Sequence, residues 1–204
     1  MMLSISLDDG YDSWFDAGSI LKHYGYRATF NTVLRNVVHK RVKTRPKMFP
    51  TKNVVLWGEL YALDADGHDI ESHGTRHVDL PECTPSELWM EVVASKNVFN
   101  SMGFDVHSYA CAFNSCTQKV QKYALKHYPV FRGGAGINEY PPEKPVYHAM
   151  DGTKALTYVE ENKDKDEWVV GIWHDVDPFK FERTVNAISK MGVKVVSVRE
   201  AYGR

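Results

Sequence analysis

Cysteine is scarce in this sequence: Cys83, Cys111 and Cys116 are all that 204 residues contain. An odd number at irregular spacing excludes a disulfide framework. No pair has zinc-ribbon spacing either, so free thiols are expected. Long apolar runs are absent, and nothing approaches the ~20 residues of a membrane helix. Excess charge of either sign is absent too. A formal net charge of -1 argues against a nucleic-acid partner and against a membrane surface. No internal repeat is visible. The one glycine cluster, Gly133-Gly134-Ala135-Gly136, lacks the spacing of a dinucleotide fingerprint and reads as a loop.

What is present is enough apolar residue, 43%, for one real core, so the chain reads as a single domain over 1–204. Leu3, Ile5 and Leu7 alternate with polar residues and read as a strand ending at Asp8-Asp9-Gly10. A helix follows over 12–24 and stops at Gly25. Strands are expected over 26–33, 68–72, 106–113, 130–131, 168–173 and 193–198. Helices are expected over 54–65, 85–102, 117–128, 151–161 and 179–191. The 168–173 strand is almost wholly apolar and so buried on both faces. Strands alternating with helices imply a parallel sheet, open or closed. The chain is short for a full eight-stranded barrel of ~250 residues. The expected fold is therefore α/β: an incomplete or distorted (β/α) barrel of about seven parallel strands.

Between the second strand and the next helix lies a basic segment, 35–52, with no acid before Glu59. It reads as a solvated loop or as a flap that meets an anionic polymer. Trp57, Trp89 and Trp168 are expected in packing.

In a parallel α/β fold, chemistry collects at the C-terminal ends of strands. Asp8 and Asp9 end the first strand. His73 and His77 follow the third. His174 and Asp175 end the penultimate one. Two imidazoles and a carboxylate are a common ligand set for catalytic zinc, with positions left for water and substrate. Each feature alone has a plain alternative. Asp-Gly is turn chemistry, and histidines four apart can satisfy backbone groups. Three strand ends delivering such groups to one rim make the chemical reading the stronger one.

The motifs resemble those of the polysaccharide deacetylase family, carbohydrate esterases that remove N- or O-acetyl groups from glycans. Ser6-Leu7-Asp8-Asp9-Gly10 is similar to the family's T-F-D-D-G. The stretch from Lys22 to Asn31, KHYGYRATFN, is similar to a helix end and strand of that family. Gly67 to Leu80, GHDIESHGTRHVDL, resembles its histidine motif, and Ile172-Trp173-His174-Asp175 resembles L-x-H-D. The resemblance implies that Asp9, His73 and His77 hold a divalent metal, most often Zn2+. It implies Asp8 as general base on the metal's water, His174 as general acid, and Ile172 against the acetyl methyl. Trp173 is a candidate floor for a sugar.

The chain departs from the family at its third motif, where Tyr109-Ala110-Cys111-Ala112-Phe113-Asn114 has neither the Arg that tethers the base nor the Pro and Gly. Arg132, from the next strand end, is the candidate to approach the base and line the substrate site. A backbone N–H near Ala112 is a candidate oxyanion donor. The Asp-x-x-x-Asp-Trp motif that orients the acid is not evident, which leaves Asp175 or Asp177 to hold His174.

The expected partner is an acetylated oligo- or polysaccharide. Two other readings stay open: an amidohydrolase on cyclic imides or ureides, and an inactive glycan-binding module. Residues 1–7 are too short for the apolar core of a secretory leader. The chain as written is therefore expected in the cytoplasm, or released without a cleaved signal, as a virus-encoded enzyme would be on lysis.

Overall fold

Alternation in the first strand separates two environments. In β1 (Met2–Asp9), Leu3, Ile5 and Leu7 join a cluster with residues of the surrounding helices, such as Trp14, Leu21 and Val185. Ser4, Ser6 and Asp8 are equally buried but lie on the opposite face. That face is the inside of a closed barrel. The computed structural model describes residues 1–39 and 54–203. Thus most of the basic segment, from residue 40 to 52, lies outside the described residues.

The chain continues through α1 (Trp14–His23), β2 (Thr29–Thr32), α2 (Trp57–Ala65) and β3 (Asp69–Ser72). α3 (Pro85–Trp89), a π-helical turn (Met90–Ala94) and α4 (Ser95–Ser101) then form one continuous helix. Next come β4 (Ser108–Ala110), α5 (Gln118–Ala124), β5 (Val130–Ala135), the short β6 (Asn138–Glu139) and β7 (Val146–Asp151). α6 (Gly152–Glu161), β8 (Glu167–Trp173), α7 (Pro178–Lys190), β9 (Lys194–Val195) and α8 (Val198–Ala201) complete it. Strands β1, β2, β3, β4, β5, β7 and β8 pair in parallel, and β8 pairs back onto β1 to close the ring. The expectation of about seven parallel strands is met. No described helix is long and apolar enough to cross a membrane.

The expected strand at 106–113 shortens to β4 before a 3-10 turn at Ala112–Asn114, and three further parts of the sequence reading differ. The strand at 130–131 runs on through Gly133 and Gly134 to Ala135 as β5, paired with β4 and β7, so all of the glycine cluster but Gly136 is strand and not loop. β7 was not read at all. It follows a proline-rich loop and passes straight into α6, whose N-cap Asp151 is also its last residue, so no turn residues punctuate it. The expected last strand shrinks to β9, because Ser197 caps α8 through the Glu200 N–H.

The lumen is filled from its closed end. Trp168, Tyr147, Val130 and Met2 pack there under Val198, Ala201 and Tyr202. Trp168 donates its indole N–H to Ser4 Oγ at 2.9 Å. Small side chains on β1 leave room for that ring, and each buried aromatic of this kind contributes about 1.5–3 kcal/mol. Of the three tryptophans expected in packing, Trp57 and Trp168 are buried, whereas Trp89 is exposed on the outer helix.

Candidate functional site

At the open end of the barrel, β1 ends in two acids with different fates. Asp8 faces the lumen, in register with Asn31 of β2. Asp9 turns out of the strand with φ 84, a left-handed value eased by the following Gly10. Asn36 Nδ2 holds the Asp9 carbonyl at 2.8 Å, and Tyr11 Oη reaches its Oδ2 at 3.5 Å. The other carboxylate oxygen, Oδ1, is buried and has no hydrogen-bond partner. It lies 3.5 Å from His73 Nε2 and 3.2 Å from His77 Nε2.

His73 Nδ1 is 2.8 Å from the Ala110 carbonyl. A carbonyl only accepts, so Nδ1 carries the proton and Nε2 turns its lone pair towards Asp9. Burial, helped by His73, lowers the His77 pKa against the pull of Asp9 and Asp8. His77 itself sits at φ 59. One carboxylate and two imidazoles thus offer ligand atoms within 4.8 Å of one another. A buried carboxylate oxygen without a partner, beside two imidazole nitrogens of which His73 Nε2 presents a lone pair, is costly unless a cation or a proton sits between them. The donor set fits a divalent metal of the zinc type.

Asp8 is bound on both oxygens. Oδ1 accepts from Ser6 Oγ at 3.2 Å, Asn31 Nδ2 at 2.9 Å and Arg132 at 3.0 Å. Oδ2 accepts from the other Arg132 terminal nitrogen. Arg132 is 1% exposed and reaches across the lumen from β5, which is not a neighbour of β1 in the sheet. Burial would raise the Asp8 carboxyl. The Arg132 charge, aided by His73 and by bonds from Arg132 and Asn31, overrides it and holds Asp8 well below the usual carboxylate range.

Asp8, Asp9, His73, His77, Arg132, Ile172 and His174 line one cavity of about 360 Å³, together with Phe113 and Asn114. Two expected contacts are absent from it. Trp173 is next to Ile172 on a strand, so it points to the opposite face. Its ring packs on Gly152, Gly171 and Phe181 under the outer helices, and it cannot floor the cavity. Asp175 accepts from Ser13 Oγ at 2.8 Å, and Asp177 caps α7 through the Lys180 N–H. Among the described residues no hydrogen bond joins either to His174, which stands exposed at the rim.

Sequence reasoning gave no role of their own to Tyr11, Asn31, Asn36, Phe113 and Asn114. Phe113 is 66% exposed and meets His77 edge-on with ring centroids 4.5 Å apart. Phe113 and Asn114 both have left-handed backbones, φ 58 and 52, and Asn114 Oδ1 is buried without a partner. Paired strain of this kind costs of order 1–3 kcal/mol per residue and clusters at functional sites. Phe113 and Asn114 were legible only as the end of the non-standard third motif and Asn31 only as the end of the 22–31 stretch, while nothing in the sequence marked Tyr11 or Asn36.

A family model described as polysaccharide deacetylase matches residues 1–130. "Putative polysaccharide deacetylase YxkH" of Bacillus subtilis (strain 168) is 32% identical over 99 residues, 48% of this chain and 31% of that protein. The chain therefore spans about a third of the length of that curated relative. Among solved structures, the Bc1960 peptidoglycan N-acetylglucosamine deacetylase superposes with a TM-score of 0.70 at 14% identity, covering 99% of this chain and 88% of that one. The chitin deacetylase from the fungal pathogen Colletotrichum lindemuthianum gives 0.64 at 18% identity, covering 99% and 87%. At such identities these two similarities show the fold.

Proposed function

Because the chain belongs to the polysaccharide deacetylase family, we propose that it is a metal-dependent hydrolase that removes acetyl groups from an acetylated oligo- or polysaccharide. The observation that carries this reading is the orphaned Asp9 Oδ1 facing the two Nε2 atoms, with an ionised, arginine-bound Asp8 beside them. Asp9, His73 and His77 would hold the cation, zinc before others. When bound, such an ion polarises an acyl carbonyl and brings the pKa of a water towards ~7.

Asp8 is the general base. Its lowered pKa makes it a weak acceptor by itself, but it is ionised at every working pH and fixed in place. Its Oδ2 lies 3.9 Å from His73 Nε2, so a proton taken there is taken beside the three ligands. Arg132 sets the direction of that carboxylate and supplies the tether missing from the third motif. It acts on the base and only secondarily on the substrate. His174, at the open rim, gives a proton to the departing amine or alkoxide. Ile172 lies on the cavity wall for the acetyl methyl. The turn over Ala112–Asn114 is the candidate oxyanion donor. The kept base and tether speak against a bare binding module, which needs neither. No feature of the cavity favours a cyclic imide or ureide.

The test is acetate release from chitooligosaccharides with and without a chelator. Acetate should appear with metal, vanish after its removal and return on adding zinc. Release that persists in fully metal-free protein would refute the mechanism. Tight glycan binding with no acetate would favour the module.

A further inference from the structure

Between His73 and His77 the backbone leaves the sheet and must come back with a second imidazole aimed at Asp9. Two hydrogen bonds hold the carbonyls of this loop: Leu34 N–H to Gly74 O at 2.9 Å and Arg35 N–H to Thr75 O at 3.0 Å. Ser72 Oγ accepts from Gly74 N at 3.3 Å, and one side chain from another element holds the next two N–H groups. Glu91 Oε2 accepts from Thr75 N at 2.8 Å and Arg76 N at 2.9 Å, and Oε1 accepts from Arg76 Nε at 2.7 Å. Glu91 is 1% exposed. It lies 14 residues beyond His77, at the π-helical turn Met90–Ala94.

The π turn has a local explanation. Thr75 Oγ1 donates to Met90 O at 2.6 Å, and Tyr128 Oη donates to Val92 O at 2.8 Å. Hydroxyls thus satisfy carbonyls that an irregular helix leaves less well bonded, and such turns occur often at functional sites. The carboxylate also fixes Gly74. A Cβ there would sit 2.9 Å from Glu91 Oε2 and 2.8 Å from Tyr109 Oη, at φ +87. Loop, glycine and helix irregularity all fit around one buried charge.

We propose that Glu91 is a positioning residue for the cation site: its carboxylate presets the His73–His77 loop so that both Nε2 atoms face Asp9 before any ion arrives. The proposal rests on reading Asp9, His73 and His77 as that site. A buried carboxylate with three N–H donors is well satisfied, and charge-assisted bonds of this type are the strong ones. Partners one shell out from metal ligands typically change affinity by about 10–100-fold.

Cobalt(II) titration of the full chain tests it, read by visible absorption and by chelator competition. E91L removes every acceptor and should bind cobalt about 10–100-fold more weakly, with a changed absorption band. E91Q keeps one oxygen for the two backbone N–H groups and should show a measurable loss smaller than that of E91L. E71Q, whose carboxylate is bonded to the His107 and Ser108 N–H groups and Arg199 and not to the histidine loop, should change stability and leave affinity and spectrum alone. Near-UV circular dichroism establishes folding first; if E91L does not fold, E91Q decides. Unchanged cobalt affinity in a folded E91Q, or an equal loss in E71Q, would overturn the positioning role. If wild type and H73A bind cobalt alike, the cation site itself is wrong and the proposal falls with it.

Discussion

At the open end of the barrel Arg132 meets one carboxylate, Asp8. At the closed end Arg199 is shared among Asp69, Glu71 and Asp105. The same pair of side-chain types gives opposite results. Asp8 is held well below the usual range, because a fully buried guanidinium faces it with both terminal nitrogens. Glu71 is pushed up to about 8 by burial, with Asp69 adding to the rise against the pull of the Ser108 N–H and Arg199. Arg199 is partly exposed, and its charge is divided among three acids. One arginine for one acid keeps a carboxylate ionised; one for three leaves an acid that prefers its proton.

The largest effect should come from removing the dedicated arginine. Arg132→Met leaves Asp8 buried and uncompensated, at a cost of about 3–5 kcal/mol. Activity should fall by roughly 10²–10⁴-fold, the usual range for lost acid–base chemistry, with bound metal retained. R132M/D8N should recover much of the stability and none of the activity, since both partners of the pair are then neutral. Urea unfolding and acetate release check this. Full activity in R132M would end the tether argument.

The closed end should show a smaller, pH-dependent effect. The Glu71 pKa is raised above its unfolded value, near 4.3, so the folded state binds the proton more tightly. Stability is then full below about pH 4 and falls as pH rises towards about 8. E71Q should flatten that fall. Asp8 has the opposite sign: its contribution is present above about pH 4 and is lost only in acid. Unfolding midpoints from pH 3 to 9 separate the two ends. A wild-type profile that does not decline between pH 5 and 8 would contradict the account of Glu71.

The smallest effect should be at Trp173. Ile172→Ala should raise KM for an acetylated oligosaccharide several-fold, because a wall residue is lost and a methyl-sized contact is worth about 1–3 kcal/mol. W173F should leave KM unchanged and lower stability slightly. A KM rise in W173F would place that ring in the cavity after all.

Strand ends were readable because acids and histidines there interrupt clear period-2 runs, as in Leu3-Ser4-Ile5-Ser6-Leu7-Asp8. The same period already placed Ile172 and Trp173 on opposite faces, and the motif likeness obscured it. β7 was hidden for a different reason. Its Val146-Tyr147-His148-Ala149-Met150 carries one polar residue, lies after three prolines and has no turn before α6.

By itself, the sequence determined which acids and histidines stand at strand ends and the order in which strands deliver them. Alternation and residue type are local properties, and they survive without knowledge of the fold. Closure of the ring decided the rest. Only when β8 pairs back onto β1 does a lumen exist for Arg132 to cross, 124 residues from the acid it binds. Glu91 likewise reaches the histidine loop only because its helix packs beside β3 with one π turn. Contacts through the inside of a barrel or around a bulged helix follow no sequence period, so tertiary structure alone could place them.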